Sequence, residues 1–286
     1  TDIINNTDVF IMPTMNPDGF ESGSRYNANG TDLNRDFPDQ FSDPNNTTIG
    51  REPETRAVMD WTWDHHFVLS ANMHTGALVA NYPYDGPNSG VYSACPDDDL
   101  FIHISLAYAD AHPNMESGGF SNGITNGAQW YAISGGMQDW NYIWEGDFDI
   151  TIEQSEVKWP SSNQLAGLWE DHREPMLVYL EEVHDGVRGI VIDADSGEPL
   201  SANISVQGID HDILPDPENG DYYRLLPAGT YTITAQAFGY LAQSETVTVP
   251  LSGYVEQNFE LSVDPWLAEA DIEDFEAGNF SGFEWT

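Results

Sequence analysis

The pattern of apolar and polar positions divides the chain into two parts. Before about residue 185, short apolar runs alternate with longer segments in which apolar residues recur with a helical period. From 187 to 261 no helical period remains, and short runs rich in Val, Ile, Thr and Tyr are separated by turn signals, as at 195–197 and 218–221. The pattern predicts an α/β domain followed by a small all-β sandwich.

Strands and helices alternate in the first part. Strands are predicted at 9–12, at 67–69 leading to His74, at 77–80 and at 148–153. Helices are predicted at 52–66, from 97–99 to just before Pro113, and from Ser161 or Ser162 to about 183. Because Pro175 lies inside the last helix, we expect a kink or a break there. Segments 13–41 and 117–139 are predicted to be loops, and structureless loops of such length are usually functional.

Composition constrains the partners. The 286 residues include 48 Asp and Glu but 8 Lys and Arg, which gives a formal net charge of −40. Nucleic acid is excluded as a natural partner because its binding needs a basic patch. No apolar run reaches the roughly 18 residues that would span a bilayer. The charge favours cationic substrates, although adaptation of the surface to salt is a simpler origin for it.

The ends of the chain and its cysteine add little about compartment. Cys95 is the single cysteine, so it cannot form an internal disulfide and the redox compartment stays open. The chain starts at Thr1 without an initiator Met and stops abruptly at Thr286. We therefore expect a fragment cut at both ends, in which the absence of a targeting segment means nothing.

A histidine and an acid mark the region around 67–85 as a candidate site. An apolar run leads to His74, and a second run ends in a loop that carries Asp85. Ligands of open α/β sheets bind at the carboxyl ends of the strands, where this pattern places both side chains. A satisfied core histidine is the alternative interpretation of His74.

Three further segments carry candidate chemistry. In the first loop, Arg25, Asn34 and Arg35 suit the binding of an anion; surface salt bridges are the alternative. Tyr131 precedes a flexible Ser-Gly-Gly segment, as a tyrosine that covers substrate could, or it is a packed aromatic residue. Glu153 ends a strand, where an acid is either solvated or a general base beside a metal.

These segments occur in a recognisable order. The strings are NPDGFE, NGTDLNRDFPD, SANMHTG, NYPYD, GITNGAQWY and SGGMQDWNY, followed by a Thr-Ile-Glu strand. Together they resemble the zinc metallocarboxypeptidases, in the regulatory branch that contains carboxypeptidases D, E, N and M. The resemblance covers about residues 9–261. It implies a mixed, mostly parallel sheet flanked by helices, followed by a transthyretin-like β-sandwich.

The resemblance also implies a role for each candidate residue. His74 would be the third ligand of one zinc ion, Glu153 the general base, and Arg25 the group that stabilises the oxyanion. The implied substrate-binding residues are Asn34, Arg35 and Tyr131 for the terminal carboxylate, and Asp85 and Gln138 for the terminal side chain. An acid in that pocket suits Lys or Arg. The implied substrates are the C-termini of peptides and proteins, and the implied location is extracellular or at the cell surface.

One family motif is missing. The first two zinc ligands come from a His-x-x-Glu motif, which occurs nowhere in these 286 residues. We expect residues upstream of Thr1 to supply it, and we expect the chain as given to be inactive. The predicted domains are 1–185 (partial catalytic domain), 186–262 (β-sandwich) and 263–286 (a linker and the start of another module).

Two alternatives to a Lys- or Arg-directed carboxypeptidase remain at this stage. One is a carboxypeptidase with another side-chain preference, against which Asp85 and Gln138 argue. The other is a non-catalytic scaffold that binds peptides at the cell surface. It would not need a general base, so replacing Glu153 would leave its properties unchanged.

Overall fold

A four-stranded mixed sheet forms the centre of the first part of the chain in the computed structural model, which describes residues 3–268. Its strands are β1 (Leu69–His74), β2 (Ala77–Tyr82), β3 (Ile124–Asn126) and β4 (Phe148–Ser155). Their order is β1-β4-β2-β3, and the β4–β2 pair alone is antiparallel. The expected mixed, mostly parallel sheet is confirmed.

The described part of the chain also contains eight α-helices. They are α1 (Ile3–Asn6), α2 (Pro17–Ser22), α3 (Pro53–His65), α4 (Asp98–Ala111), α5 (Gly127–Trp130), α6 (Met137–Trp140), α7 (Ser162–Glu181) and, after the second part of the chain, α8 (Pro265–Ala268). Pro53 begins α3, and Ser161 and Gln164 form a capping box at the start of α7, as the sequence predicts. None of the described helices is long and apolar enough to span a membrane.

The two faces of β4 have different roles. Phe148, Ile150 and Ile152 are fully buried and belong to the core that α4 covers. The alternate residues Asp149, Thr151 and Glu153 point to the opposite face, because successive side chains of a strand alternate. That polar face is buried as well, with Glu153 exposed by only 8%. The sheet therefore presents buried polar side chains to a site on one face.

The predicted strand at 9–12 is wrong. These residues form no ladder, and their side chains are 40–82% exposed. Phe10 packs edge-on against Trp61 and Phe67 instead, with ring centroids 6.0 and 5.4 Å apart. An apolar run becomes a strand only when a partner strand satisfies its backbone groups, and no described strand pairs with this segment.

The predicted break at Pro175 is also wrong, because α7 runs without interruption from Ser162 to Glu181. The packing of α7 on α4 accounts for this. His172 Nδ1 lies 2.7 Å from the Tyr108 hydroxyl, and the rings of Tyr108 and Tyr179 meet edge-on. These buried contacts offset the hydrogen bond that a proline removes from a helix.

The predicted loops contain short helices. In segment 13–41, Asn16 caps α2 by accepting from the Gly19 N–H, and Gly23 ends the helix in the left-handed conformation. Leu33–Arg35 forms a 3₁₀ turn. Segment 117–139 contains the three-residue strand β3 of the central sheet as well as α5 and the start of α6, each of four residues. Elements this short carry no periodic hydrophobic signal. In α2, however, an Asn followed by Pro at the start and a Gly after the end are typical signals of helix termini.

The second part of the chain is all-β, as expected. Its strands are β5 (Gly186–Asp193), β6 (Ala202–Val206), β7 (Ile209–Ile213), β8 (Asp221–Leu225), β9 (Gly229–Ala237), β10 (Gln243–Val249), β11 (Tyr254–Glu256) and β12 (Phe259–Leu261). One sheet has the order β10-β9-β6-β7; in the other, β5 pairs with β8, β11 and β12. A core that includes Val191, Ile233 and Phe259 lies between them. The module predicted after residue 263 falls largely outside the described residues.

A buried ion pair joins the two parts. Arg224 of β8 donates through Nη2 to Asp97 Oδ1 at 2.6 Å, and both side chains are at most 1% exposed. The Tyr142 hydroxyl donates to the other Asp97 oxygen at 2.9 Å. His211 of β7 stacks on Tyr142 at a centroid distance of 4.0 Å. Charge, hydrogen bonding and stacking therefore converge at one junction.

Candidate active site

A pocket opens at the polar face of the sheet. It is small, with a cavity volume of about 20 Å³. Its lining includes six of the eight predicted site residues: Arg25, Asn34, His74, Asp85, Tyr131 and Glu153. These come from five separate segments of the sequence, and the fold brings them together.

His74 ends β1, directly beside Glu153 in the parallel β1–β4 register. Its Nε2 lies 3.5 Å from the side-chain amide nitrogen of Asn34. Burial and, to a smaller extent, the charge of Arg25 lower the pKa of His74 to about 4. The imidazole is therefore neutral at physiological pH, which is the form that binds a metal.

Glu153 is the buried acid of the pocket. Among the described residues, its Oε2 has no hydrogen-bond partner. Burial raises the pKa of Glu153 to about 7, against the charges of Arg25 and Lys158, which lower it. A carboxylate with a free oxygen and a pKa near neutrality suits a general base.

Asp32 organises the cationic loop. One of its oxygens accepts from Arg25 Nε at 2.7 Å, and the other accepts from the Asn34 backbone N–H at 3.2 Å. Asn16, which caps α2, donates to the Arg25 carbonyl at 3.2 Å. Asn34 Oδ1 accepts from the Met137 N–H, so its amide nitrogen is directed to the pocket. The loop is therefore held at both ends.

Two predicted residues lie outside the lining. Arg35 is exposed and donates to the carbonyl of Asn34. Its charge nevertheless lowers the pKa of both His74 and Asp85. Gln138 is 1% exposed, and its amide has no partner among the described residues. Gln138 is thus buried and is not among the lining residues, whereas we expected it to line the pocket.

Tyr131 lies at the pocket mouth and is 43% exposed. It follows α5, and its ring packs against Trp130 at 4.7 Å. Two residues later, the Ile133 N–H donates to the Asp85 carbonyl at 2.9 Å. The segment that carries the tyrosine is therefore tied to the segment that carries the buried aspartate.

Asp85 lies at the inner end of the pocket and is 3% exposed. Two glycines make room for its carboxylate: a Cβ at Gly127 would lie 2.0 Å from Oδ1, and one at Gly136 would lie 2.8 Å from Oδ2. Asn81 is its single side-chain hydrogen-bond donor among the described residues, at a long 3.4 Å. Asp85 is therefore a buried carboxyl group that lacks a described cationic partner within bonding distance.

The sequence reasoning missed Asp139. Its two carboxylate oxygens accept the Asp85 backbone N–H at 3.0 and 2.9 Å. Burial raises the pKa of both carboxyl groups, and the charge of Asp85 raises that of Asp139 further. One signal could have identified it, since Asp139 is the sole charged residue between Glu116 and Glu145 in the sequence. Asn81 and Thr151, which also line the pocket, carried no such signal.

The donor set fits a zinc ion in part. A neutral histidine beside a free carboxylate suits the metal and its base, but a catalytic zinc normally has three protein ligands. In the described part of the chain, the one group of three convergent ligands is His103, Glu182 and Asp185, which does not include His74. His74 thus supplies one ligand, and no described residue completes the set.

Comparison with known proteins places both parts of the chain. Residues 1–175 match the family described as zinc carboxypeptidase, and residues 186–262 match the carboxypeptidase regulatory-like domain. The chain is 44% identical over 283 residues to human (Homo sapiens) carboxypeptidase D, covering 91% of this chain and 20% of that protein.

Two other relatives are similar to the same degree. Identity is 46% over 250 residues to carboxypeptidase SOL1 of Arabidopsis thaliana, covering 86% of this chain and 51% of that protein. It is 43% over 300 residues to the carboxypeptidase N catalytic chain of Mus musculus, covering 91% and 65%. The chain therefore spans from a fifth to about two thirds of the length of these relatives.

Proposed function

The chain belongs to the zinc carboxypeptidase family, and from this membership we propose that it forms part of a zinc-dependent carboxypeptidase that removes C-terminal Lys or Arg from peptides. The observation that carries the proposal is the pocket in which Arg25, His74 and Glu153 surround one opening while Asp85 lies buried at its inner end. The first three residues suit peptide hydrolysis, and the fourth suits a basic side chain.

Each residue has a chemical task in this proposal. His74 would hold zinc, which when bound makes water nucleophilic near neutral pH. The free oxygen of Glu153 accepts a proton and later returns it to the leaving amine. The guanidinium of Arg25 donates to the developing oxyanion, a contribution of roughly 3 kcal/mol for one such donor.

The terminal residue is recognised at both of its ends. The amide nitrogen of Asn34, the charge of Arg35 and the hydroxyl of Tyr131 would bind its carboxylate, which restricts cleavage to chain ends. Asp85 would pair with its side chain. Because burial raises the pKa of Asp85, a cationic side chain stabilises the ionised form and an acidic one is rejected.

We further propose that these 286 residues are inactive by themselves. His74 alone cannot hold a catalytic zinc, and two more ligands are needed from outside the described residues. The full-length protein is therefore the form to assay.

The test compares matched peptides that end in Arg, Lys or Phe. We expect zinc-dependent cleavage that a chelator abolishes and added zinc restores. In Asp85→Asn, kcat/KM for the Arg peptide should fall about 100-fold or more, as expected when a desolvated charge loses its partner, with little change for the Phe peptide. Asp110→Asn, which removes the same charge from an exposed position of α4, is the control.

Two results would contradict the proposal. Equal cleavage of Arg and Phe peptides, unaffected by Asp85→Asn, would leave a carboxypeptidase of another preference. A Glu153→Gln variant with unchanged properties would remove the hydrolase assignment and favour a peptide-binding scaffold.

A further inference from the structure

Two large aromatic side chains are exposed together outside the pocket. Phe20 and Trp159 are 61% and 63% exposed, and their ring centroids lie 6.1 Å apart. They come from segments 139 residues apart in sequence, so their contact is made by the fold. An exposed apolar pair that the core does not use is a candidate binding surface.

Each member of the pair is connected to the active site. Phe20 lies in α2, whose cap Asn16 donates to the carbonyl of Arg25. Trp159 follows Lys158, whose carbonyl accepts from the Thr75 hydroxyl at 2.8 Å, one residue after the predicted zinc ligand.

The side chain of Lys158, the neighbour of Trp159, packs against Gly76, two residues after His74. Its side-chain carbons lie 3.1 and 3.2 Å from the position of a Cβ on Gly76. The aromatic pair therefore lies at the rim next to the groups that act on the scissile bond.

The strand register places this rim on the opposite side of Glu153 from Asp85. β2 and β4 are antiparallel and pair Ala77 with Ser155, Val79 with Glu153 and Asn81 with Thr151. Asp85 follows Asn81, beyond the Thr151 side, whereas Trp159 follows Ser155 at the other end of β4. A peptide with its last side chain at Asp85 and its last peptide bond at Glu153 thus continues upstream towards Trp159.

We propose that Phe20 and Trp159 form a subsite for an apolar side chain located one or two residues upstream of the scissile bond. The inference rests on the proposed function, because that function sets the direction of the peptide. It adds a second element of selectivity: the buried carboxylate selects the terminal residue, and the exposed aromatic pair selects what precedes it. Burial of one apolar side chain against such a pair corresponds to about a tenfold gain in affinity.

The test measures binding without turnover. Blocked peptides ending in Leu-Leu-Arg or Ser-Ser-Arg are titrated by calorimetry into full-length protein that carries Glu153→Gln. We expect the Leu peptide to bind about tenfold more tightly. Adding either Phe20→Ala or Trp159→Ala should bring the two affinities within about twofold of each other. Trp169→Ala, an equally exposed tryptophan on α7, should leave the preference unchanged.

Several results would overturn the subsite. They are equal affinities in the parent protein, no binding of either peptide, or a Leu preference that survives both substitutions. Because both side chains are exposed, their removal should not unfold the protein, and circular dichroism checks this.

Kinetics separates this inference from the proposed function. The kcat/KM ratio of the two peptides in the protein with Glu153 intact should follow the same order as the affinities. If no peptide is cleaved with zinc present, the proposed function fails, and the calorimetric preference still decides the subsite. If Arg peptides are cleaved while Leu and Ser peptides bind equally, the subsite alone fails.

Discussion

Removing Arg224 should be one of the most destabilising single changes in this chain. The guanidinium is fully buried at the junction of the two domains and contacts Asp97 at 2.6 Å. In Arg224→Met, the carboxylate keeps the hydroxyl of Tyr142 but loses its counter-charge. The protein must then protonate the carboxyl group or bury an anion whose sole remaining described counter-charge would be the His211 imidazole, with Nδ1 3.5 Å from Asp97 Oδ2.

The free energy of unfolding should decrease by about 3–5 kcal/mol, which is typical when one partner of a buried ion pair is removed. This is a large share of the 5–15 kcal/mol that stabilises a typical domain. With a slope of about 3 kcal/mol per molar urea, the unfolding midpoint should fall by roughly 1–2 M. The double variant Arg224→Met/Asp97→Asn should lose less than the single one, because it buries no unpaired charge.

Urea titration followed by tryptophan fluorescence and circular dichroism measures the effect. Arg173→Met is the matched control, since Arg173 pairs with Glu170 at 3.2 Å on the surface of α7 and both side chains are more than half exposed. Such a pair contributes at most about 0.5 kcal/mol.

Two outcomes would refute this reasoning. The first is a loss in Arg224→Met no greater than that in Arg173→Met. The second is a double variant whose loss equals the sum of the two single losses, which would show that Arg224 and Asp97 do not interact energetically.

Three further predictions concern the pocket and the core. Gly127→Ala should lower kcat/KM for Arg-ended peptides at least tenfold, because the added Cβ would overlap the Asp85 carboxylate. Gly167→Ala is the control: it has open space around it, so it should keep its activity and raise the urea unfolding midpoint. Asp139→Ala should raise KM for Arg-ended peptides more than Asp139→Asn, which keeps an acceptor for the Asp85 N–H; equal effects would argue against that role. Burial lowers the pKa of His112 to about 4. The free energy of unfolding should therefore decrease as the pH falls below about 6.5, by up to about 1.4 kcal/mol per pH unit. In urea titrations at pH 7.5 and 5.5, His112→Asn should lose less of this free energy on acidification than wild type does.

The comparison of wild type with the His112 variant matters because other groups act in the opposite direction. Burial raises the pKa of Asp149 and Glu153, so the folded state takes up protons at these sites as the pH falls. That uptake stabilises the folded state relative to the unfolded state on acidification. The difference between the two proteins isolates the histidine.

Where a sequence prediction failed, a non-local contact was responsible. Residues 9–12 have the composition of a strand, but a strand also needs a partner, and the partner is decided by the rest of the fold. Pro175 has a strong local preference against helix, yet the packing of α7 on α4 outweighs it. Neither contact can be derived from the residues that form the local pattern.

The site shows the same division. The sequence predicts site positions for His74, which follows an apolar run, and for Glu153, which ends an alternating strand, because strand ends meet at one edge of a sheet. Asp139 was not predicted, because its role is to accept the Asp85 backbone N–H from 54 positions away. Gln138, expected to line the pocket, is buried and is not among the lining residues.

The sequence by itself determined the two-part organisation, most of the longer elements and the chemical types available for catalysis. These follow from side-chain period and from residue chemistry, which are local properties of the chain. Only the tertiary structure decided which carboxylates are buried, that the Asn34 amide approaches His74, and that Phe20 meets Trp159 beside the site. These depend on distances between segments remote in sequence, and such distances exist only after the core has packed.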